Sequence, residues 1–127
     1  MPSRPQRLIG FALVSNPFYD RGNRGCMGRK AEKKAGKRLG ARVIPGSGTI
    51  PSLKGDLSTK SFLIESKATT KKSLSVKLDW LRKIDQEALE EGRDPALLVQ
   101  FTDADGAVVR GGAWVCIPEA LFKELCE

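Results

Sequence analysis

The segment Phe62-Leu63-Ile64-Glu65-Ser66-Lys67-Ala68 constrains the fold more than any other stretch of this chain. Its apolar residues suit the centre of a sheet, yet it carries an acid and a lysine two positions apart. Side chains alternate faces along a strand, so Glu65 and Lys67 point the same way. A charged group inside such a strand is costly unless it is paired or bound to a cation. Asp56 adds a second acid on the preceding run, with eight residues between it and Glu65. Two readings are open. Glu65 and Lys67 form an ion pair on a solvated sheet face, or the two acids and the lysine hold a divalent metal and a water. Gly55 lets the backbone beside Asp56 approach a ligand closely, although Gly-Asp is also common turn chemistry.

The absence of histidine narrows the chemistry. Ser-His-Asp and Cys-His catalysis are excluded, as are H-E-x-x-H zinc sites. A hydrolase built from this chain has to use carboxylates, lysine and a hard metal ion with oxygen ligands. Neither a P-loop nor a dinucleotide fingerprint is present. Cys26, Cys116 and Cys126 are an odd, scattered set, which suits reduced, buried structural thiols in a cytosol. No apolar run approaches a membrane span or a secretory signal. The expectation is a cytoplasmic, intracellular protein with no membrane partner.

The net charge of +7 is unevenly placed. Residues 1–54 hold twelve Lys/Arg against two acids, and residues 55–127 hold ten against thirteen. A basic half of this density is the electrostatic footprint expected for a phosphate backbone, although such runs are often only a solvated face.

The length fits one domain. Residues 1–25, with Pro2, Pro5, Pro17, Arg4, Arg7, Arg21 and Arg24, read as a basic N-terminal arm with at most one extra strand. Residues 26–127 read as a single domain. Ala31, Ala35 and Leu39 recur every four residues and predict a helix over Met27 to Leu39, capped by Gly40. Ala41 to Ile44 reads as a strand. Residues 45–53, rich in Pro and Gly, read as a loop, followed by strands near 54–58 and 61–69. Ser73 or Ser75 is placed to cap a long helix to Glu91, with Leu74, Leu78, Leu81 and Ala88 on one side and Gly92 and Pro95 ending it. Leu97 to Thr102 reads as a strand, Asp103 to Gly106 as a turn, and Ala107 to Ile117 as a partner strand interrupted by Gly111-Gly112. Pro118 opens a short final helix. Trp80, Trp114 and Phe122 are expected in the core before an interface. The order is α/β, a mixed central sheet flanked by helices.

Glu32 is the only acid between Asp20 and Asp56. Gly28 and Gly36 lie one turn either side of it on the same helical face and leave room for backbone or DNA to come close. A lone glutamate making i,i+4 contacts with lysines is the plainer alternative.

Taken together, Gly28-Arg29-Lys30-Ala31-Glu32, Gly46-Ser47-Gly48, Gly55-Asp56 and Ile64-Glu65-Ser66-Lys67 resemble the PD-(D/E)XK nuclease superfamily. The likeness is greatest to archaeal-type Holliday junction resolvases and related phage endonucleases. It covers about residues 27–103, in the order of that family's restriction-endonuclease-like αβββαβ core. The resemblance implies a metal-dependent DNA endonuclease, a homodimer selective for branched or four-way-junction DNA, in a cell or, if phage-encoded, in a host cytoplasm. It implies that Asp56 and Glu65 ligate Mg²⁺ or Mn²⁺, with the Ser66 carbonyl as a further ligand and Glu32 joining directly or through water. Lys67 would orient or help deprotonate the attacking water. Ser47 matches a loop serine that contacts phosphate near the cut, and a turn serine is an equally good reading of it. Arg29, Lys30, Lys33, Lys34, Lys37 and Lys54 are the expected DNA-backbone contacts. Two departures stand out: Gly-Asp replaces the family's frequent Pro-Asp, and Lys77 is the nearest match to a second-helix Lys or Gln facing the metal. A nuclease of the same fold acting on nicked, flapped or duplex DNA, or a non-catalytic nucleic-acid-binding domain, remains the alternative.

Overall fold

The computed structural model describes residues 23–44 and 55–127, with side chains from Met27 onward. The basic arm up to residue 22, Ser47 and Lys54 lie outside the described residues. Among the described residues, three helices and five strands follow in the order α1 (Asn23–Leu39), β1 (Arg42–Val43), β2 (Leu57–Ser58), β3 (Phe62–Thr69), α2 (Leu78–Glu91), β4 (Asp94–Thr102), β5 (Val108–Cys116) and α3 (Glu119–Leu125). The strands form one mixed sheet in the order β1-β2-β3-β4-β5. Neighbours are antiparallel except β3 and β4, which run parallel through the α2 crossover.

Both faces of the sheet are covered, as a parallel pair at its centre requires. Met27, Ala31 and Ala35 of α1 and Leu121 of α3 pack with Phe62, Ile64, Ala96 and Leu98 on one face. Ile84 and Ala88 of α2 pack with Leu63 on the other. Small residues let α1 lie close. A Cβ at Gly36 would stand 3.0 Å from the Ala41 carbonyl oxygen and 3.2 Å from Val43 Cγ2. The room expected at Gly36 for DNA is thus filled by the chain's own β1. α1 and α2 end alike, on Gly40 (φ 64°) and Gly92 (φ 68°). In each the next amide turns back to the helix, Ala41 N–H to the Gly36 carbonyl and Arg93 N–H to the Ala88 carbonyl, both at 2.9 Å. This is the left-handed closure that glycine permits.

Several expectations are corrected. α2 begins at Leu78 with Lys77 at its N-cap and no side-chain cap, so neither Ser73 nor Ser75 starts it. Residues 71–77 belong to no helix or strand, and Leu78 is 55% exposed. Apolar side chains hold a helix only where there is a face to pack on, and that face begins further along α2. β4 starts at Asp94 and includes Pro95. Pro95 lies before Leu97, the first β4 residue paired with β5, so its missing donor costs that ladder nothing. Pro118 stands at the N-cap of α3 rather than in its first turn. Trp114 (64%) and Phe122 (59%) are exposed rather than core, and Cys116 and Cys126 are exposed rather than buried. They belong to the outermost strand and the C-terminal helix, which no further layer covers among the described residues. Among the described residues no helix is long and apolar enough to cross a membrane.

Candidate functional site

The site arises where β2 leaves the sheet. The Asp56 amide donates to the Ile64 carbonyl and the Asp56 carbonyl accepts from Ile44 N–H, both at 2.8 Å. One residue earlier the chain turns away at Gly55, whose φ is 73°. Past this point β3 has lost its β2 neighbour. The Asp56 carboxylate takes over, its Oδ2 accepting the Ser66 N–H at 3.2 Å. Asp56 is therefore fixed by its backbone on both sides and by its own side chain.

Gly55 explains the departure from Pro-Asp. Its positive φ excludes proline, which is locked near −65°. Its N–H is also in use, donating to Glu87 Oε1 on α2 at 2.9 Å. A Cβ there would meet Leu63 Cγ at 2.7 Å. Glu87 thus ties α2 to the backbone beside Asp56.

Glu65 and Lys67 sit side by side as the alternation requires, and both are buried, 6% and 5% exposed. The Lys67 Nζ to Glu65 Oε2 distance is 3.1 Å. The solvated sheet face is thus replaced by a buried ion pair, an arrangement strongly destabilised when one partner is removed. Lys67 has a second partner that the sequence reading placed elsewhere. Its Nζ lies 4.5 Å from the centroid of the Trp80 ring, on the first turn of α2, and Lys77 Nζ lies 5.9 Å from the same ring. An ammonium over an indole face is attracted by the ring quadrupole. Nothing local in the sequence signals the Lys67–Trp80 contact or the bond from Glu87, because each depends on how α2 packs beside β3.

Glu32 projects from α1 and is partly buried. It makes no ion pair with the neighbouring lysines among the described residues. Burial, and then the negative charge of Glu65, push its carboxyl up to about 8, against a smaller opposing pull from Arg29. Glu32 and Glu65 therefore feel each other, although they come from different elements. Relief of such repulsion is what a cation would supply.

Asp56, Glu65 and Glu32 are hard oxygen donors and suit Mg²⁺ or Mn²⁺ in kind. As they stand, no three His, Cys, Asp or Glu residues converge tightly enough to hold an ion among the described residues. Arg29, Lys30, Lys33, Lys34 and Lys37 are all on the exposed side of α1. Lys30 lies 3.9 Å from Asp105, an exposed pair of little energetic weight. Comparison with known proteins finds no family model, no curated protein and no solved structure that matches this chain.

Proposed function

We propose that this protein is a metal-dependent DNA endonuclease on a restriction-endonuclease-like αβββαβ core, selective for branched DNA such as four-way junctions and acting as a homodimer. The observation that carries the reading is that the Asp56 carboxylate lies on the amide of Ser66, the residue between the paired Glu65 and Lys67, where β2 parts from β3. Asp56 caps the Ser66 amide, and Lys67 is held between Glu65 and Trp80. The raised pKa of Glu32, caused first by burial and then by the charge of Glu65, supports it, because a nearby cation would favour its ionised form. Asp56 and Glu65 would hold Mg²⁺ or Mn²⁺, with Glu32 nearby. When bound, such an ion lowers the pKa of its water and shields charge developing on the phosphate. Lys67, fixed by its two partners, orients the attacking water and offsets charge at the scissile phosphate. The exposed lysines of α1 engage the backbone.

One feature favours a second reading, a non-catalytic nucleic-acid-binding domain: the Glu65–Lys67 pair is already neutralised internally. The two separate in one assay. Labelled four-way junction and matched duplex are incubated with the protein in Mg²⁺ or in EDTA. We expect junction cleavage in Mg²⁺, none in EDTA, and loss of cutting with retained binding in Asp56→Asn and Glu65→Gln. Cleavage that survives EDTA would overturn the metal mechanism. Equal cutting of both substrates would defeat junction selectivity while sparing the nuclease, and normal cutting by either variant would defeat the site.

A further inference from the structure

The half of the chain from residue 55 onward carries more acids than bases, yet one stretch runs against it. From Ser66 to Leu78 there is no Asp or Glu, and Lys67, Lys71, Lys72 and Lys77 fall within it. Lys71, Lys72 and Lys77 are exposed and stand in the connection between β3 and α2. None of the three pairs with a carboxylate among the described residues. The connection is anchored at both ends. The Lys71 N–H donates to Thr69 Oγ1 at 3.0 Å, and Lys77 shares the Trp80 ring with Lys67. Like charges this close along the chain, with no carboxylate beside them, repel one another, and a polyanion removes that cost.

Position matters as much as charge. α1, with its exposed lysines, covers one face of the sheet, whereas the connection leads to α2 on the other. By the alternation along β3, Glu65 and Lys67 share the face of Leu63, so the connection and α2 stand on their side of the sheet and α1 on the other. We infer that residues 70–77 are a second phosphate-binding bank, gripping the nucleic-acid backbone on the α2 side of the cut while α1 grips the other. This rests on the nucleic-acid reading of the site.

The test is the salt dependence of four-way-junction binding in EDTA, followed by fluorescence anisotropy. Three proteins are compared: the parent, K71A/K72A, and K60A/K123A. The last pair removes the same charge from exposed lysines in the β2–β3 turn and on α3. Each phosphate contact contributes about 0.9 to the slope of log K against log salt. The K71A/K72A slope should therefore be shallower by about 2, with K60A/K123A matching the parent. A K71A/K72A slope equal to the parent's would overturn the second bank, as would an equal fall in K60A/K123A, which would show an effect of net charge alone. A parent that does not bind, or binds without salt dependence, would instead sink the nucleic-acid reading and take this inference with it.

Discussion

At the scale of single residues, Glu32 is the group whose state is most open to measurement. Its folded pKa of about 8 stands above the ordinary carboxyl value of 4.5, so between these values the folded protein keeps a proton that the unfolded chain has released. The stabilisation from that proton is complete below pH 4.5 and is lost as the pH rises through 8. In EDTA the melting temperature should accordingly fall across this window. Glu32→Gln should flatten that fall and melt several degrees above the parent on its alkaline side. An unaltered profile in the variant would mean that Glu32 is already ionised at neutral pH. The placement of Glu32 on a helix was legible from the spacing of Ala31, Ala35 and Leu39. Its protonation was not, because it depends on burial and on Glu65, a residue more than thirty positions away.

At the scale of elements, the site depends on how α2 meets the entry to β2. Gly55→Pro, which restores the commoner Pro-Asp pairing, removes both the positive φ and the N–H that Glu87 accepts. Loss of this part-buried hydrogen bond alone costs about 1 kcal/mol, and the forced change in φ adds to it. Urea unfolding should show at least that loss; a variant as stable as the parent would mean the turn is not built as described. The order and type of the elements were readable because their signals are local. Alanine periodicity, closing glycines and the Asp103–Gly106 turn each act within a few residues. That turn is closed by Asp103 Oδ1, which accepts from the amides of Asp105 and Ala107 at 2.9 and 3.0 Å. The start of α2 was misread because its real determinant is not local. Ser73 and Ser75 have cap chemistry, but helix forms only where Ile84 and Ala88 find the sheet. Trp80 illustrates the same limit. An aromatic on a helix reads as core, and only the packing of α2 over β3 reveals that it caps Lys67.

At the scale of the whole molecule, paired incision of a symmetric junction needs two sites, hence two copies. β5 is the last strand of the sheet, and Val109, Trp114 and Val115 are exposed along it. The Trp114 indole N–H donates to the Gly111 carbonyl at 2.8 Å, so the ring is held in place at the surface rather than hanging free. Sedimentation of the parent should show a dimer at concentrations that cut junctions, and Trp114→Glu should shift it towards monomer. A parent that cuts junctions as a monomer would remove the homodimer from the proposal. The sequence put Trp114 in the core ahead of an interface, because apolar character alone does not distinguish the centre of a sheet from its rim. The strands are also unequal in what secures them. β3 and β4 are joined over eight residue pairs, whereas β1–β2 and β2–β3 are joined over two each. Asp56 belongs to the weakly secured side and Glu65 to the strongly secured one. Regions with few ladder bonds open at lower free energy than the core. The pairing of Asp56 with Glu65, on which the proposed activity rests, is thus a softer property of this protein than its fold: a local fraying of the β1–β2 margin would take the two carboxylates apart while α2 and the central strands stay intact.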